Sequence, residues 1–494
     1  MVESNPLVEL SALVDPAEAK HPEARQAIVD VTRALRKLLK ADRWPRPFQI
    51  VGIAYCALAG DRVLLADDMG LGKGPQALCR ILLGAHVPAI VVCPASMLLV
   101  WKEEAGLWAP GVPFHRLDRV DKWVPPPGWR GIVVTTWDLL RYHSTALARM
   151  RPRIVVGDEC HALLHEDSER SIHFEILTRQ TPHLLLLSGT PLLNRARDVW
   201  RLLNLLDERA WPEHTKRAFK EMNKDDFDRG VQTRLTRRVR QYMLRRQKVD
   251  ALTDLTAKKY QTLSVRLPPR DMLAYQQVER AFADWLYEKV RDEVLSESLG
   301  LGEEELEQEI GQRTRATLAA QSLVQFGHLR RVVGRLKVPL VTAWVGEAAR
   351  SGEPVVVFAE HQEVVSLIGA SLARWGLSYG VIDGKTPKTR RYSLVKEFQT
   401  GKIVVLLASQ AAKEGLTLTK ARHVLFAERF LTAAAEDQAA DRLHRIGQKR
   451  DVCVWIMCAL GTIDERVDRL VGRKRRIAGR TVDAGRVDAR AAPR

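Results

Sequence analysis

The chain has 494 residues, too many for one hydrophobic core, and its 46% hydrophobic content is ample for two to four domains of roughly 100 to 200 residues each. A net charge of +17 favours a polyanionic partner such as nucleic acid over an acidic protein or a neutral substrate. The six cysteines (Cys56, Cys79, Cys93, Cys160, Cys453, Cys458) contain no CxxC pair, the N-terminus does not read as a leader, and no apolar run nears the roughly 18 residues of a membrane span, so disulfide frameworks, zinc sites and membrane partners are excluded and a reducing cytosol is expected.

Residues 1–43 are expected to form a helical lead-in, with Ile28, Val31, Leu35, Leu38 and Leu39 as a packing stripe. Trp44-Pro45-Arg46-Pro47-Phe48-Gln49 then stops that helix with two prolines ahead of the next apolar helix. The Gln49 amide donates and accepts at once, as an adenine edge requires, so Gln49 is a candidate base reader. Next, apolar Val63-Leu64-Leu65 runs into Ala66-Asp67-Asp68-Met69-Gly70-Leu71-Gly72-Lys73-Gly74 and on into a helix. A Gly-rich turn between strand and helix leaves backbone N–H groups aimed one way, where a polyphosphate accepts them, and Lys73 adds a positive charge. Gly-x-Gly-Lys is a phosphate-loop pattern, but Gly74 stands where a Ser or Thr hydroxyl would normally hold Mg²⁺.

Beyond this loop, short apolar runs alternate with helical stretches: Ile90–Cys93, Ile132–Val134, Ile154–Val156 and Leu184–Leu187. Strands that alternate with helices predict a doubly wound α/β domain with a buried parallel sheet. Each run ends in a polar cluster (Pro94-Ala95-Ser96, Thr135-Thr136-Trp137-Asp138, Asp158-Glu159-Cys160-His161, Ser188-Gly189-Thr190-Pro191), and in open parallel sheets such clusters converge at the carboxyl edge. Asp158 is suited to hold Mg²⁺ and Glu159 to orient or deprotonate the attacking water.

From about residue 205 to 345 the pattern changes to long charged helices, with a basic segment (Arg234, Arg237, Arg238, Arg240, Arg245, Arg246, Lys248) suited to track phosphates and an acidic patch at Glu303, Glu304, Glu305, Glu307 and Glu309. A second α/β domain follows from Pro354, with runs at Val355–Phe358, Tyr379–Ile382, Ile403–Leu407 and Val424–Phe426. Within Gln438–Gln448, Arg442 and Arg445 lie three apart, on one face of an expected helix, where their guanidinium groups suit a transferring phosphoryl group. A basic tail with Arg473-Lys474-Arg475-Arg476 closes the chain. These residues alone lead to a two-lobed, Mg²⁺-dependent nucleotide hydrolase with a polyanionic partner.

The ordered motifs resemble those of the SNF2 family of superfamily 2 helicase-like ATPases from about Arg46 to Glu465, with a likeness to its annealing-helicase branch at Ala66–Gly70 and Gly415–Thr419. The resemblance implies two RecA-like doubly wound parallel-sheet lobes with helical insertions between them and an ATP cleft at their interface. Expected boundaries are 1–43 for the lead-in, 44–250 for lobe one, 251–345 for a helical linker, 346–470 for lobe two and 471–494 for the tail. It assigns ATP contacts to Arg46, Phe48, Gln49, Gly70, Leu71, Gly72, Lys73, Gly74 and Gln438, with Mg²⁺ on Asp158. It assigns catalysis to Lys73, Asp158, Glu159, Arg442 and Arg445, and DNA binding or coupling to Ser96, Trp101, Thr135, Thr136, Ser188, Thr190, Arg245 and Arg246. His444-Arg445-Ile446-Gly447-Gln448 resembles the family's most specific motif, while Gly74, Lys413 and Glu414 depart from its pattern.

The implied function is a DNA-stimulated ATPase that translocates on double-stranded DNA and remodels branched DNA or protein–DNA complexes without processive strand separation. Two alternatives stand beside it: an ATP-gated DNA-binding module disabled in hydrolysis by Gly74, and a strand-separating helicase. The protein is expected to act as a monomer with ATP and Mg²⁺, in a bacterial or phage-infected cytoplasm near the nucleoid.

Overall fold

Val63–Leu65, Ile90–Cys93, Ile132–Val134, Ile154–Val156 and Leu184–Leu187 are all buried, as strands covered on both faces must be. The computed structural model describes residues 5–40, 43–164, 167–189, 200–222, 242–252, 255–297, 307, 309–313, 326–410 and 416–473. They fall into two compact units, divided between Leu255 and Thr256.

The first unit holds a seven-stranded sheet in the order β3-β4-β2-β5-β6-β1-β7, with every pairing parallel. The strands are β1 (Arg62–Leu65), β2 (Ala89–Cys93), β3 (Phe114–Arg116), β4 (Ile132–Thr136), β5 (Ile154–Asp158), β6 (His183–Leu187) and β7 (Met243–Leu244). One face, carrying Val63, Leu65, Val91 and Val156, packs beneath α1 (Pro6–Ala12), α2 (Pro22–Leu38), α3 (Pro47–Leu58), α4 (Lys73–Leu83) and α5 (Leu98–Trp108). The other face, carrying Leu64, Ile90, Val133 and Val155, packs against α6 (Leu140–Arg149), α7 (Glu169–Thr178) and α8 (Trp200–Leu206). Alternate residues of each strand thus feed opposite cores. The expected lead-in belongs to this unit: Leu10, Ile28, Val31 and Leu35 sit in its core, whereas Leu38 is exposed.

The second unit holds six parallel strands in the order β10-β11-β9-β12-β13-β8. They are β8 (Lys258–Val265), β9 (Val355–Ala359), β10 (Tyr379–Ile382), β11 (Val405–Ser409), β12 (His423–Phe426) and β13 (Val452–Ala459). Helices α9 (Val338–Arg350) and α10 (Gln362–Arg374) cover one face, and α11 (Lys388–Thr400) and α12 (Ala433–Ala440) the other.

Residues 251–345 are not a purely helical linker. β8 lies within them, pairs with β13 along its whole length and forms the edge of the second sheet. Its sequence hides this, because Lys258 and Tyr260 turn polar ends to Asp441 and Asp437 while their stems and ring cover the sheet.

At the amino ends of the first unit's strands, the His86 and His183 rings lie 4.0 Å apart. Arg80 Nη1 is 2.9 Å from His86 Nε2, and Asp61 Oδ1 is 3.0 Å from His183 Nδ1. Burial, joined by the charges of Arg80, His183 and Arg153 against that of Asp61, pushes the His86 imidazole down to about 4. The unfolded chain therefore takes up a proton near the ordinary 6.5 while the folded one refuses it. The stability contribution is complete above that pH and is lost as pH falls toward 4. His86→Gln should flatten the fall in melting temperature between pH 7 and 4.5 relative to the parent; equal slopes would remove His86 from the account.

Candidate nucleotide site

The carboxyl ends of β1 and β5 flank that of β6, and the loops after all three meet in one region. Gly70 and Gly72 both hold positive φ (88° and 72°), and the left-handed Gly72 caps α4, whose first residue is Lys73. Lys73 Nζ donates to the carbonyls of Asp67 (2.8 Å) and Asp68 (3.4 Å). The Ser188-Gly189 turn packs so close that a Cβ on Gly189 would lie 2.4 Å from Met69 Cγ and 3.5 Å from Lys73 Nζ.

Gln49, in the first turn of α3, accepts from the Arg46 N–H (2.9 Å) and donates to the Leu71 carbonyl (3.1 Å). The expected base reader therefore ties the Arg46–Gln49 element to the phosphate loop, and its amide oxygen and second N–H leave room for further bonds. A Cβ on Gly72 would meet Gln49 Nε2 at 2.4 Å, so the loop needs glycine there twice over. Phe48 is buried and Arg46 half-buried.

Asp158 closes β5. Its Oδ2 accepts the Trp101 indole N–H from α5 (2.9 Å), and its carbonyl accepts that of Trp137 (3.0 Å). Burial, then the Glu159 charge, push its carboxyl well above the usual range, while the Trp101 bond and the Lys73 charge pull it back. Glu159 takes a left-handed backbone conformation (φ 53°), a strain on the order of 1–3 kcal/mol for a non-glycine residue, and its Oε2 lies 3.4 Å from His161 Nδ1. Hard carboxylate oxygens suit Mg²⁺. Among the described residues no group of three or more His, Cys, Asp and Glu side chains could hold a metal ion.

Behind the loop, Arg246 is fully enclosed. Its guanidinium meets Asp67 twice (Nε–Oδ1 3.0 Å, Nη2–Oδ2 2.5 Å), Gln76 Oε1 (3.1 Å) and the Phe48 carbonyl. Arg245 donates to the carbonyls of Ala66 (3.1 Å) and Gly189 (3.4 Å) and pairs with Asp68 (3.4 Å).

An SNF2-related domain matches residues 48–331, and a helicase conserved C-terminal domain matches residues 337–447. The chain belongs to the SNF2-related family. It is 29% identical over 458 residues to the SWI/SNF-related matrix-associated actin-dependent regulator of chromatin subfamily A-like protein 1 homolog of Caenorhabditis elegans, covering 88% of this chain and 61% of that one. The DNA annealing helicase and endonuclease ZRANB3 of Mus musculus is 27% identical over 88% of this chain and 40% of its own length. An uncharacterized ATP-dependent helicase of Mycoplasma pneumoniae is 27% identical, with 85% and 40% covered. The chain thus spans between two fifths and three fifths of these relatives. The Sulfolobus solfataricus SWI2/SNF2 ATPase core in complex with dsDNA aligns over 91% of this chain and 97% of that one, at 23% identity and a TM-score of 0.43.

Several side chains that the SNF2 resemblance assigns to DNA lie inside the first unit: Trp101, Thr135, Thr136, Ser188 and Arg246 are at most 4% exposed, because the region beneath the strand ends is closed by packing. Ser96 and Arg245 are half-buried. Thr190, Lys413, Glu414, residues 234–240, 303–305 and 474–494 lie outside the described residues. Within the second unit, α12 ends at Ala440, so Arg442 and Arg445 do not share a helical face. The chain turns there because the Arg442 carbonyl takes the Leu418 N–H (2.9 Å) and Arg445 Nη1 binds Thr417 Oγ1 (2.9 Å) and the Leu416 carbonyl (3.2 Å). Gln438 and Arg442 are both buried. No helix of the described residues is long and apolar enough to cross a membrane, and all six cysteines are free.

Asp67, Gln76 and Glu104 were not singled out from sequence; the one available signal was the one-turn spacing of Trp101 and Glu104 on α5. Arg246→Ala would leave Asp67 buried and unpaired, and should destabilise the first unit by about 3–5 kcal/mol in denaturant unfolding. The Asp67→Ala, Arg246→Ala double variant should lose much less than the sum of the singles; strict additivity would rule the pair out as a unit.

Proposed function

We propose that this protein is a DNA-stimulated ATPase that translocates on double-stranded DNA and remodels branched DNA or protein–DNA complexes without processive strand separation. The observation that carries the hydrolytic part is the strained Glu159 directly after Asp158, at a strand end within electrostatic reach of Lys73. The net charge of +17 and the relatives' printed roles, an annealing helicase among them, support DNA as the partner.

In this reading the N–H groups of Gly70–Lys73 cradle the ATP phosphates, and Lys73 exchanges its carbonyl partners for phosphate oxygens. The Gln49 element borders the base. Mg²⁺, when bound with ATP, neutralises phosphate charge, and Asp158 would hold it. Trp101 keeps the Asp158 carboxylate turned toward that place. Glu159 accepts a proton from the attacking water, with His161 beside it. The guanidinium role expected of Arg442 and Arg445 belongs to the same proposal.

The test is steady-state ATP hydrolysis without DNA and with single-stranded, duplex, forked and four-way DNA. The proposal expects turnover raised most by duplex or branched DNA and no separated strands from forked substrates. Absence of turnover on every DNA would instead favour an ATP-gated binding module, and strand release a separating helicase. Glu159→Gln should lower turnover by at least ~100-fold while ATP still binds; retained turnover would remove Glu159 from the chemistry.

A further inference from the structure

The missing hydroxyl at Gly74 is matched by a neighbour. A Cβ built on Gly74 would lie 2.0 Å from Glu104 Oε2 and 3.1 Å from its Cδ. The Glu104 carboxylate thus occupies the space that any side chain at position 74 would need. Glu104 projects from α5, one turn after Trp101, and Trp101 donates to Asp158 Oδ2 at 2.9 Å. One helix therefore delivers a carboxylate to the first turn of α4 and braces the carboxylate at the end of β5, the two places from which a phosphate-loop enzyme holds its cation.

We propose that Glu104 stands in for the absent Ser or Thr, supplying the oxygen on the phosphate-loop side of Mg²⁺, directly or through a metal-bound water. This rests on the nucleotide-hydrolase reading above. An anionic oxygen on a side chain from another helix replaces a neutral hydroxyl on the loop itself, and Gly74 is the residue that makes room for it. The arrangement also accounts for why a glycine, unfavourable by up to ~1 kcal/mol in a helix's first turn, is used here.

The experiment is equilibrium binding of a fluorescent ADP analogue to the full chain, in Mg²⁺ and in EDTA, for the parent, Glu104→Gln, Glu104→Ala, Gly74→Thr and the Gly74→Thr, Glu104→Ala double variant. Circular-dichroism melting of each establishes that it folds. Loss of Glu104 should reduce the Mg²⁺-dependent tightening by about tenfold or more. Affinity in EDTA should hold or rise, because a carboxylate beside a polyphosphate repels it; a structural defect in the loop would weaken both. Gly74→Thr alone must displace the Glu104 carboxylate, whereas in the Glu104→Ala background the threonine has both room and a hydroxyl and should restore Mg²⁺ dependence. Full Mg²⁺-dependent tightening in Glu104→Gln, or a double variant no tighter than Glu104→Ala, overturns the proposal. A parent that binds the analogue in neither condition overturns the nucleotide reading itself, and this proposal with it.

Discussion

The buried ion pair between Arg246 and Asp67 is the constraint on which the first unit's functional edge depends. Its two side chains are 3% and 0% exposed, and taking such charges out of water costs several kcal/mol per ion unless every polar atom finds a partner. Here they do: the Arg246 backbone N–H and guanidinium both bind Asp67, Gln76 bridges the two, and the Phe48 carbonyl takes a remaining N–H. The pair joins residues 179 apart in the chain and so binds the β7 segment, the phosphate loop, α4 and α3 into one piece. Gly52 is part of the same arrangement, since a Cβ there would lie 2.1 Å from Gln76 Oε1 and 2.5 Å from Arg246 Nη2. Energetically such a network is high-stakes: complete, it fixes one geometry, and with any member missing it leaves an uncompensated charge.

That anchoring explains what was legible in the sequence and what was not. The strands that could be read are those whose burial demands short runs of Val, Ile and Leu: β1, β2, β4, β5, β6, β9, β11 and β12, with the edge strand β10, fall within two residues of the apolar runs. The strands that went unread are mostly edges. β3 and β7 have three and two residues, too few to show a period, and β8 intersperses Lys, Gln, Thr and Ser among its few apolar residues. β13 is the exception, an apolar strand of eight residues hidden behind the more conspicuous Gln438–Gln448 segment. The expectation of a shared helical face for Arg442 and Arg445 failed for a different reason: spacing alone cannot reveal that long-range bonds to Leu418, Leu416 and Thr417 end the helix first.

Site residues divide in the same way. A motif gives a residue its place along the chain: Lys73 opens α4, Asp158 closes β5 and Glu159 follows it, so that the Lys73 charge reaches Asp158. It does not say where the side chain points. Trp101 and Arg246 carry groups that a DNA backbone would suit, yet both are turned inward, one to orient Asp158 and the other to brace the phosphate loop. Both act through another residue, so neither role has a local signature. Each needs a partner that lies distant in sequence, Asp158 for Trp101 and Asp67 for Arg246.

The electrostatics of this edge follow from these placements. Asp158 and Glu159 are adjacent carboxylates, Glu104 lies against Gly74, and Lys73 is the cation whose charge reaches Asp158. Burial first, and then the Glu159 charge, raise the Asp158 carboxyl and make its ionised form costly. The loop itself is already formed, with Gly70 and Gly72 at positive φ and Gln49 holding the Leu71 carbonyl. The shape of this loop therefore rests on bonds that the protein itself makes.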